Sequence, residues 1–190
     1  MPLLMIKDLP RYECLLEAAK EFPDLDPSAT EVFLHLLRTG DEAFRVVESH
    51  LAKHDITQGG FSVLMALWGH CRRDERDVPL SPAALAERTG VTRATMTGLI
   101  DTLEHAGLVR RAPDREDRRM MTIELTARGE RLLHKILPDH FRQMAWLMAP
   151  LSEHDRKTLV RLLTKLLRRA GENDGRPAPE VALAVAPASA

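Results

Sequence analysis

Residues 80–129 read LSPAALAERTGVTRATMTGLIDTLEHAGLVRRAPDREDRRMMTIELTARG, a stretch dense in signals that start and stop helices. Ser81-Pro82 predicts a helix start, because serine is a favoured N-cap and proline suits the first helical position. Gly90 ends that helix, and Thr92 caps a second helix whose apolar residues recur every three or four positions. The stretch therefore predicts a helix–turn–helix.

Two strand-like segments follow directly. Residues 108–112 and 120–125 are separated by a polar and highly charged connection. In the second segment Thr122 and Glu124 alternate with apolar residues, which predicts one solvent-facing side and one core-facing side. We expect a β-hairpin with a long tip, attached to the helix–turn–helix as a wing.

Helical patterns also precede this region. A short helix in the first 25 residues ends near Pro23, and a capping-box sequence from Ser28 to Glu31 predicts the start of a second helix. That helix is expected to run to about Lys53. A third helix is predicted from Gln58 to Cys71.

Two further helices are predicted after the wing. Thr126 caps the first, which continues past Pro138, and Ser152 opens the second. The last helix carries a leucine stripe that exceeds what a small lobe needs, so we expect a partner helix, with packing inside one chain as the alternative. The expected dimerisation residues are Leu159, Leu162, Leu163, Leu166 and Leu167. The proline- and alanine-rich tail 171–190 is expected to be disordered.

The composition narrows the class of protein. The chain has 190 residues, a formal net charge of −1 and two cysteines, which is enough length for a core and too few cysteines for a disulfide scaffold. Without an apolar run of about 18 residues or a signal-peptide core, a cytoplasmic protein with no membrane contact is expected. The sequence lacks phosphate-loop, GxSxG, HExxH and paired CxxC motifs, so we expect no enzymatic activity, no cofactor and no metal.

The helix–turn–helix and wing carry the chemistry expected of a DNA-binding surface. The second helix of such a pair can enter the major groove, where arginine binds guanine and threonine contacts phosphates or thymine. An arginine at the wing tip can enter a narrow minor groove, and Asp117 can hold Arg119 in place for this. A solvated charge run is the alternative for the tip. The candidate DNA-binding residues are Thr92, Arg93, Thr95, Thr97, Arg115, Asp117, Arg118 and Arg119.

The region 80–129 resembles the winged helix of the multiple antibiotic resistance regulator (MarR) family. The motifs that carry the resemblance are Thr95-Met-Thr97, Leu103 to Arg111, Asp117-Arg-Arg119 and Leu125-Thr-Ala-Arg-Gly129. The resemblance implies a mainly α fold with a small β-hairpin wing. It also implies a homodimeric repressor in which two winged helices read a pseudo-palindrome in double-stranded DNA.

The order of elements in that family implies four segments. Residues 1–55 and 129–170 are expected to supply the dimerisation helices, and residues 56–128 the winged helix–turn–helix. Residues 171–190 are the tail.

The same resemblance implies a small, often aromatic and anionic ligand between the dimerisation helices and the DNA-binding lobe. Arg38 suits a carboxylate, although Glu42 four residues later can hold it in an ordinary surface pair. The candidate ligand residues are His35, Arg38, Thr39, Ser62, Trp68 and His70. A general likeness to regulators of aromatic-acid catabolism favours 6-hydroxynicotinate or a related hydroxylated aromatic carboxylate as the effector.

Three alternatives remain open at this point. Cys14 lies where some members of the family sense peroxides, so a redox-sensing repressor is the first. His50 and His54 have a spacing that can bind a metal, but two exposed histidines near a helix end is the more ordinary interpretation. The third is a dimeric interaction scaffold, which would lack the steep salt dependence of specific DNA binding.

Overall fold

The computed structural model describes residues 3–4, 8–70, 80–114 and 119–172. It contains seven helices and a two-stranded antiparallel sheet within these ranges, and the expected mainly α winged-helix fold is confirmed. The elements are α1 Tyr12–Glu21, α2 Pro27–Ala52, α3 Gln58–His70, α4 Pro82–Thr89, α5 Arg93–His105, β1 Val109–Pro113, β2 Met121–Leu125, α6 Ala127–Leu147 and α7 Glu153–Gly171. None of the described helices combines the length and the apolar character that a membrane span requires.

The chain divides into two compact units, which are Met1–Phe44 with Leu147–Ala190, and Arg45–Trp146. The second unit, here called the central unit, contains a continuous apolar core from the end of α2 to α6. Burial of this many aliphatic side chains is the main force that stabilises the unit. Its largest fully buried side chains are Leu51, Leu64, Leu85, Met96, Ile100, Leu133, Ile136, Val63 and Val109.

The helix–turn–helix begins and ends where the sequence predicts. The Ser81 hydroxyl accepts a hydrogen bond from the Ala84 amide at 3.2 Å, which satisfies one of the free donors at the start of α4. Gly90 follows α4 with a φ of 68°, a left-handed conformation that glycine adopts without a β-carbon penalty. The chain therefore turns within a few residues and starts α5 after Thr92.

The wing pairs β1 with β2 in a register that places Ala112 opposite Thr122 and Arg110 opposite Glu124. The expected alternation in β2 is wrong at Thr122, which is buried, whereas Met121 is exposed. The Thr122 hydroxyl donates a hydrogen bond to the Ala112 carbonyl at 3.1 Å, so its polar atom is satisfied inside the sheet.

The expected capping box from Ser28 to Glu31 is also wrong. α2 begins at Pro27, and the Asp26 side chain accepts a hydrogen bond from the Ala29 amide at 3.0 Å. An aspartate cap followed by proline at the first helical position starts the helix two residues earlier, and the free donor that it satisfies is the Ala29 amide.

α7 has the capping box that α2 lacks. The Ser152 hydroxyl accepts from the Asp155 amide at 3.2 Å, and the Asp155 carboxylate accepts from the Ser152 amide at 3.1 Å. No residue of α7 is buried in the single chain. The apolar side of this helix is therefore open to another surface.

Candidate nucleic-acid interface

The start of α5 presents short polar side chains to solvent. The Thr92 hydroxyl caps the helix by accepting from the Thr95 amide at 3.1 Å, and it lies 2.9 Å from the Thr95 hydroxyl. The Thr97 hydroxyl donates to the Arg93 carbonyl at 3.0 Å, which leaves its lone pairs and methyl group for an external partner. All four of these residues are exposed, while Met96 faces the core. The predicted recognition residues thus share one exposed helix end.

Arg93 is the cation of this surface. Its guanidinium forms no ion pair with any acidic group in the described part of the chain. An open cavity of about 520 Å³ lies beside it, because Ala83 and Ala84 on α4 leave little side-chain volume there. Because Arg93 is exposed, its guanidinium is available to donate two parallel hydrogen bonds to an external partner.

The wing stands next to this helix, and part of its tip is described. Arg119 is exposed in the connection between the strands, two residues before β2 begins. Arg115, Asp117 and Arg118 lie outside the described residues, so their predicted roles stay predictions. Across the strands, Arg110 pairs with Glu124 at 2.5 Å between Nη2 and Oε2.

A second arginine of β1 joins the wing to α5, and sequence reasoning missed it. Arg111 pairs with Asp101 at 2.5 Å and with Glu104, while its backbone amide donates to Glu104 Oε1 at 3.0 Å. The Asp101 hydrogen bond raises the pKa of the Arg111 guanidinium above its ordinary value, with Glu104 acting in the same direction. The sequence pattern that could have predicted this contact is Asp101 and Glu104, three residues apart on one helix face, followed by Arg111 after the turn.

The predicted ligand residues of α2 lie on its exposed or half-buried side. His35 is exposed, and its Nδ1 lies 2.9 Å from the Glu31 carbonyl oxygen. Arg38 forms an ion pair with Glu42 at 2.6 Å, the surface pair that the sequence allows as an alternative. Thr39 is exposed.

The other predicted ligand residues belong to α3 in the central unit. Ser62 is exposed, Trp68 is half-buried against the apolar core, and His70 is the last residue of the helix. Their participation in a shared cleft with the residues of α2 stays a prediction.

The residues of the two alternative sensing modes, by redox and by metal, differ in their exposure to solvent. Cys14 is exposed on α1. His50 is buried, only 3% exposed, which corrects the expectation of two exposed histidines, and His54 is half-buried. Across the described ranges, no three histidine, cysteine or acidic side chains form a group suited to a metal ion.

The comparisons with known proteins agree with this geometry. Residues 69–120 match the family model described as MarR family. The chain is 35% identical over 164 residues to the HTH-type transcriptional repressor YetL of Bacillus subtilis, which covers 86% of this chain and 95% of YetL.

Two solved structures share the fold. The S. aureus MepR–DNA complex has a TM-score of 0.62 at 23% identity and covers 74% of this chain and 95% of MepR. A structure of Bordetella bronchiseptica BpsR has a TM-score of 0.61 at 23% identity and covers 72% of this chain and 98% of BpsR. That structure is described as showing how 6-hydroxynicotinic acid regulates DNA binding by BpsR. The likeness to YetL extends over nearly the whole of that repressor, and the chain belongs to the MarR family of winged-helix transcriptional regulators.

Proposed function

We propose that this regulator is a homodimeric repressor that a small aromatic acid releases from a pseudo-palindromic operator. The observation that carries the DNA-binding part is the exposed start of α5, where Arg93 has no ion pair among the described residues. An isolated cation on a short, polar helix end is what a major-groove contact requires.

In this proposal α5 lies in the major groove and Arg93 donates two hydrogen bonds to one guanine. Thr92, Thr95 and Thr97 contact phosphates or the methyl group of thymine. Arg119, with Arg115 and Arg118 of the wing tip, contacts the neighbouring minor groove or backbone, and Asp117 positions Arg119. Sequence preference then comes from Arg93, and most of the salt dependence comes from the phosphate contacts.

A dimer would present two copies of the DNA-binding surface, related by the same two-fold symmetry as the half-sites of a pseudo-palindrome. The support is the open apolar side of α7, where Leu162 and Leu166 are 45% and 46% exposed. Exposed leucines in a helical stripe are costly in water and are stabilised by a partner helix. The segments 1–55 and 129–170 are the proposed dimerisation regions.

The effector is proposed to be a hydroxylated aromatic carboxylate, with 6-hydroxynicotinate as the first compound to test. The support is the fold shared with BpsR, whose DNA binding is described as regulated by that compound. Arg38 remains a candidate carboxylate ligand, although the acid would have to displace Glu42 from it. Such a ligand weakens DNA binding only by its preference for a different dimer shape.

The test is fluorescence anisotropy of labelled DNA from immediately upstream of the gene, at two salt concentrations, with and without 6-hydroxynicotinate and hydroxybenzoates. We expect tight, salt-sensitive binding that one acid abolishes. Arg93→Ala is expected to lower discrimination at one base pair by roughly 1–3 kcal/mol. Arg131→Ala, which removes the same charge from an exposed position of α6, is the control. If no specific DNA binding were measured at either salt concentration, the repressor hypothesis would be wrong and the interaction-scaffold hypothesis would be favoured.

A further inference from the structure

Gly98 lies in the interior of α5, where a glycine weakens a helix. Glycine stands near the bottom of the helix-propensity order, because its backbone loses more conformational freedom on folding than that of any other residue. Gly98 has a helical backbone rather than a positive φ. Within the described part of the chain, a β-carbon on Gly98 would meet no atom within 4 Å. The fold itself therefore gives no reason for glycine at this position.

Other helical glycines show what a structural reason looks like. A β-carbon on Gly59 would lie 3.0 Å from Leu99 Cδ2, so that glycine lets α3 approach α5 closely. Gly69 and Gly171 also face open space, but they lie within the last two residues of α3 and α7, where glycine is common. Among the described glycines, Gly98 combines an interior helical position with open space, and its reason must be sought outside the chain.

The surface around Gly98 is shallow. The residue is exposed, and Thr95, which is one turn earlier on the same side of the helix, is exposed as well. The Thr102 hydroxyl, one turn later, donates to the Gly98 carbonyl at 2.9 Å, so this side chain is folded back onto the helix. A large partner can therefore reach the backbone of α5 at Gly98.

The charge of this surface suits a polyanion. Asp101 and Glu104 are the two acidic residues of α5, and Arg111 of the wing forms ion pairs with both. Within the described residues, the helix thus keeps no uncompensated negative charge that would repel phosphates, while Arg93 at its start forms no ion pair.

We infer that α5 packs its backbone at Gly98 against the base-pair edges of double-stranded DNA, so that this glycine sets how deeply the helix enters the major groove. The inference rests on the proposed function and adds a residue that determines its specificity. A side chain at position 98 would stand between the helix and the bases and would move Arg93 and Thr95 away from their contacts. Glycine at this position lowers the stability of the helix and improves its fit to DNA.

The test is fluorescence anisotropy of Gly98→Ala and Gly98→Leu with two labelled duplexes, the DNA immediately upstream of the gene and a random sequence. We expect affinity for the upstream DNA to fall by about tenfold for alanine and about a hundredfold for leucine, in the order of side-chain volume. Affinity for the random duplex is expected to change by less than about twofold, because it comes from phosphate contacts that do not require the helix to meet the bases.

Urea unfolding separates this effect from a loss of structure. Alanine and leucine are both better helix formers than glycine, and Gly98→Ala is expected to lower the unfolding equilibrium constant by about two- to fivefold. A variant that is more stable than the wild type and binds the upstream DNA more weakly has not lost affinity by misfolding.

Gly69→Ala is the matched control, because it makes the same substitution in open space on α3, outside the proposed DNA-binding surface. We expect its DNA binding to equal that of the wild type. The inference is overturned if both Gly98 variants bind the upstream DNA as tightly as the wild type does, or if they lose the same affinity for both duplexes.

The wild-type chain separates this inference from the proposed function. If the wild type does not prefer the upstream DNA to the random duplex, the proposed function fails and the inference fails with it. If the wild type shows that preference and the Gly98 variants keep it in full, the inference alone is wrong.

Discussion

Gly129 approaches the Leu108 backbone so closely that a β-carbon on Gly129 would lie 2.2 Å from the Leu108 carbonyl oxygen. The contact is continued by Thr126, whose hydroxyl donates to the Gly107 carbonyl at 2.8 Å and accepts from the Gly129 amide at 3.1 Å. The first turn of α6 is thereby fixed against the turn that precedes β1. This gives a physical reason for threonine and glycine in the segment Leu125-Thr-Ala-Arg-Gly129.

Gly129→Ala is expected to destabilise the chain by about 1–3 kcal/mol, because the added methyl group must displace backbone rather than a flexible side chain. The measurement is urea unfolding followed by circular dichroism. Gly98→Ala is the control, since a β-carbon on Gly98 meets nothing within 4 Å and a helical alanine stabilises by about 0.5–1 kcal/mol. Equal effects of the two substitutions would contradict the close approach at Gly129.

Arg111→Met is expected to weaken DNA binding to all sequences, because Arg111 holds the wing on α5 through Asp101 and Glu104. It leaves two carboxylates without their cation, so we also expect a loss of about 1–3 kcal/mol in unfolding free energy. Anisotropy with specific and random DNA, together with urea unfolding, measures both effects.

Arg110→Met is the comparison for Arg111→Met. Arg110 pairs with Glu124 across the wing at an exposed position, where an ion pair contributes about 0–1 kcal/mol. If the two substitutions changed stability and DNA affinity equally, the link between wing and helix would not depend on Arg111.

Local signals made most of the fold predictable. Ser81, Gly90, Thr92, Thr126 and Ser152 each act on backbone groups within a few residues, so the sequence contains both partners of the interaction. The cap of α2 was misplaced because two valid caps overlap, and Asp26 with Pro27 starts the helix before Ser28 can.

The burial of a residue that packs against a segment distant in sequence could not be predicted from local signals. His50 was expected to be exposed because it lies near a helix end, but its ring stacks on that of His140 in α6, and no local pattern reports that contact. Thr122 seemed to face solvent because it is polar, yet its hydrogen bond to Ala112 across the sheet allows burial. The exposed residues of α5 were predictable because their apolar neighbours define the opposite face.

Acidification is expected to destabilise the chain through His140 and His54. In the folded chain the pKa of both histidines is lowered from the ordinary value of 6.5, mainly by burial and then by His50. Lys135 and Lys53 lower the pKa of His54 further, and Asp55 raises it. The unfolded chain therefore binds more protons near pH 6.5, and the unfolding free energy falls as the pH drops through that value.

Urea unfolding at a fixed protein concentration between about pH 8 and pH 5 measures this dependence. His140→Asn, which cannot titrate, is expected to make the dependence shallower. His134→Asn on the exposed side of the same helix is expected to leave it as in the wild type. A pH dependence unchanged by His140→Asn would show that the half-buried His140 ring is not its source.

Leu166→Lys is expected to separate the dimer and, with it, to abolish tight operator binding. The side chain is 46% exposed in the single chain, so the substitution removes little from the core of one protomer. In a helix–helix interface the added ammonium group would be buried without a partner, and its desolvation raises the dimer dissociation constant by about a hundredfold or more. Sedimentation equilibrium measures the dissociation constant, and anisotropy measures the DNA affinity.

Thr164→Lys separates this effect from the change in charge. It adds the same positive charge to an exposed position of α7 outside the leucine stripe, where the added side chain stays in water. We expect this variant to remain dimeric and, because it keeps two copies of α5, to bind the operator tightly. If Leu166→Lys also remained dimeric, the stripe of α7 would not be the interface, and two-site recognition would need another surface.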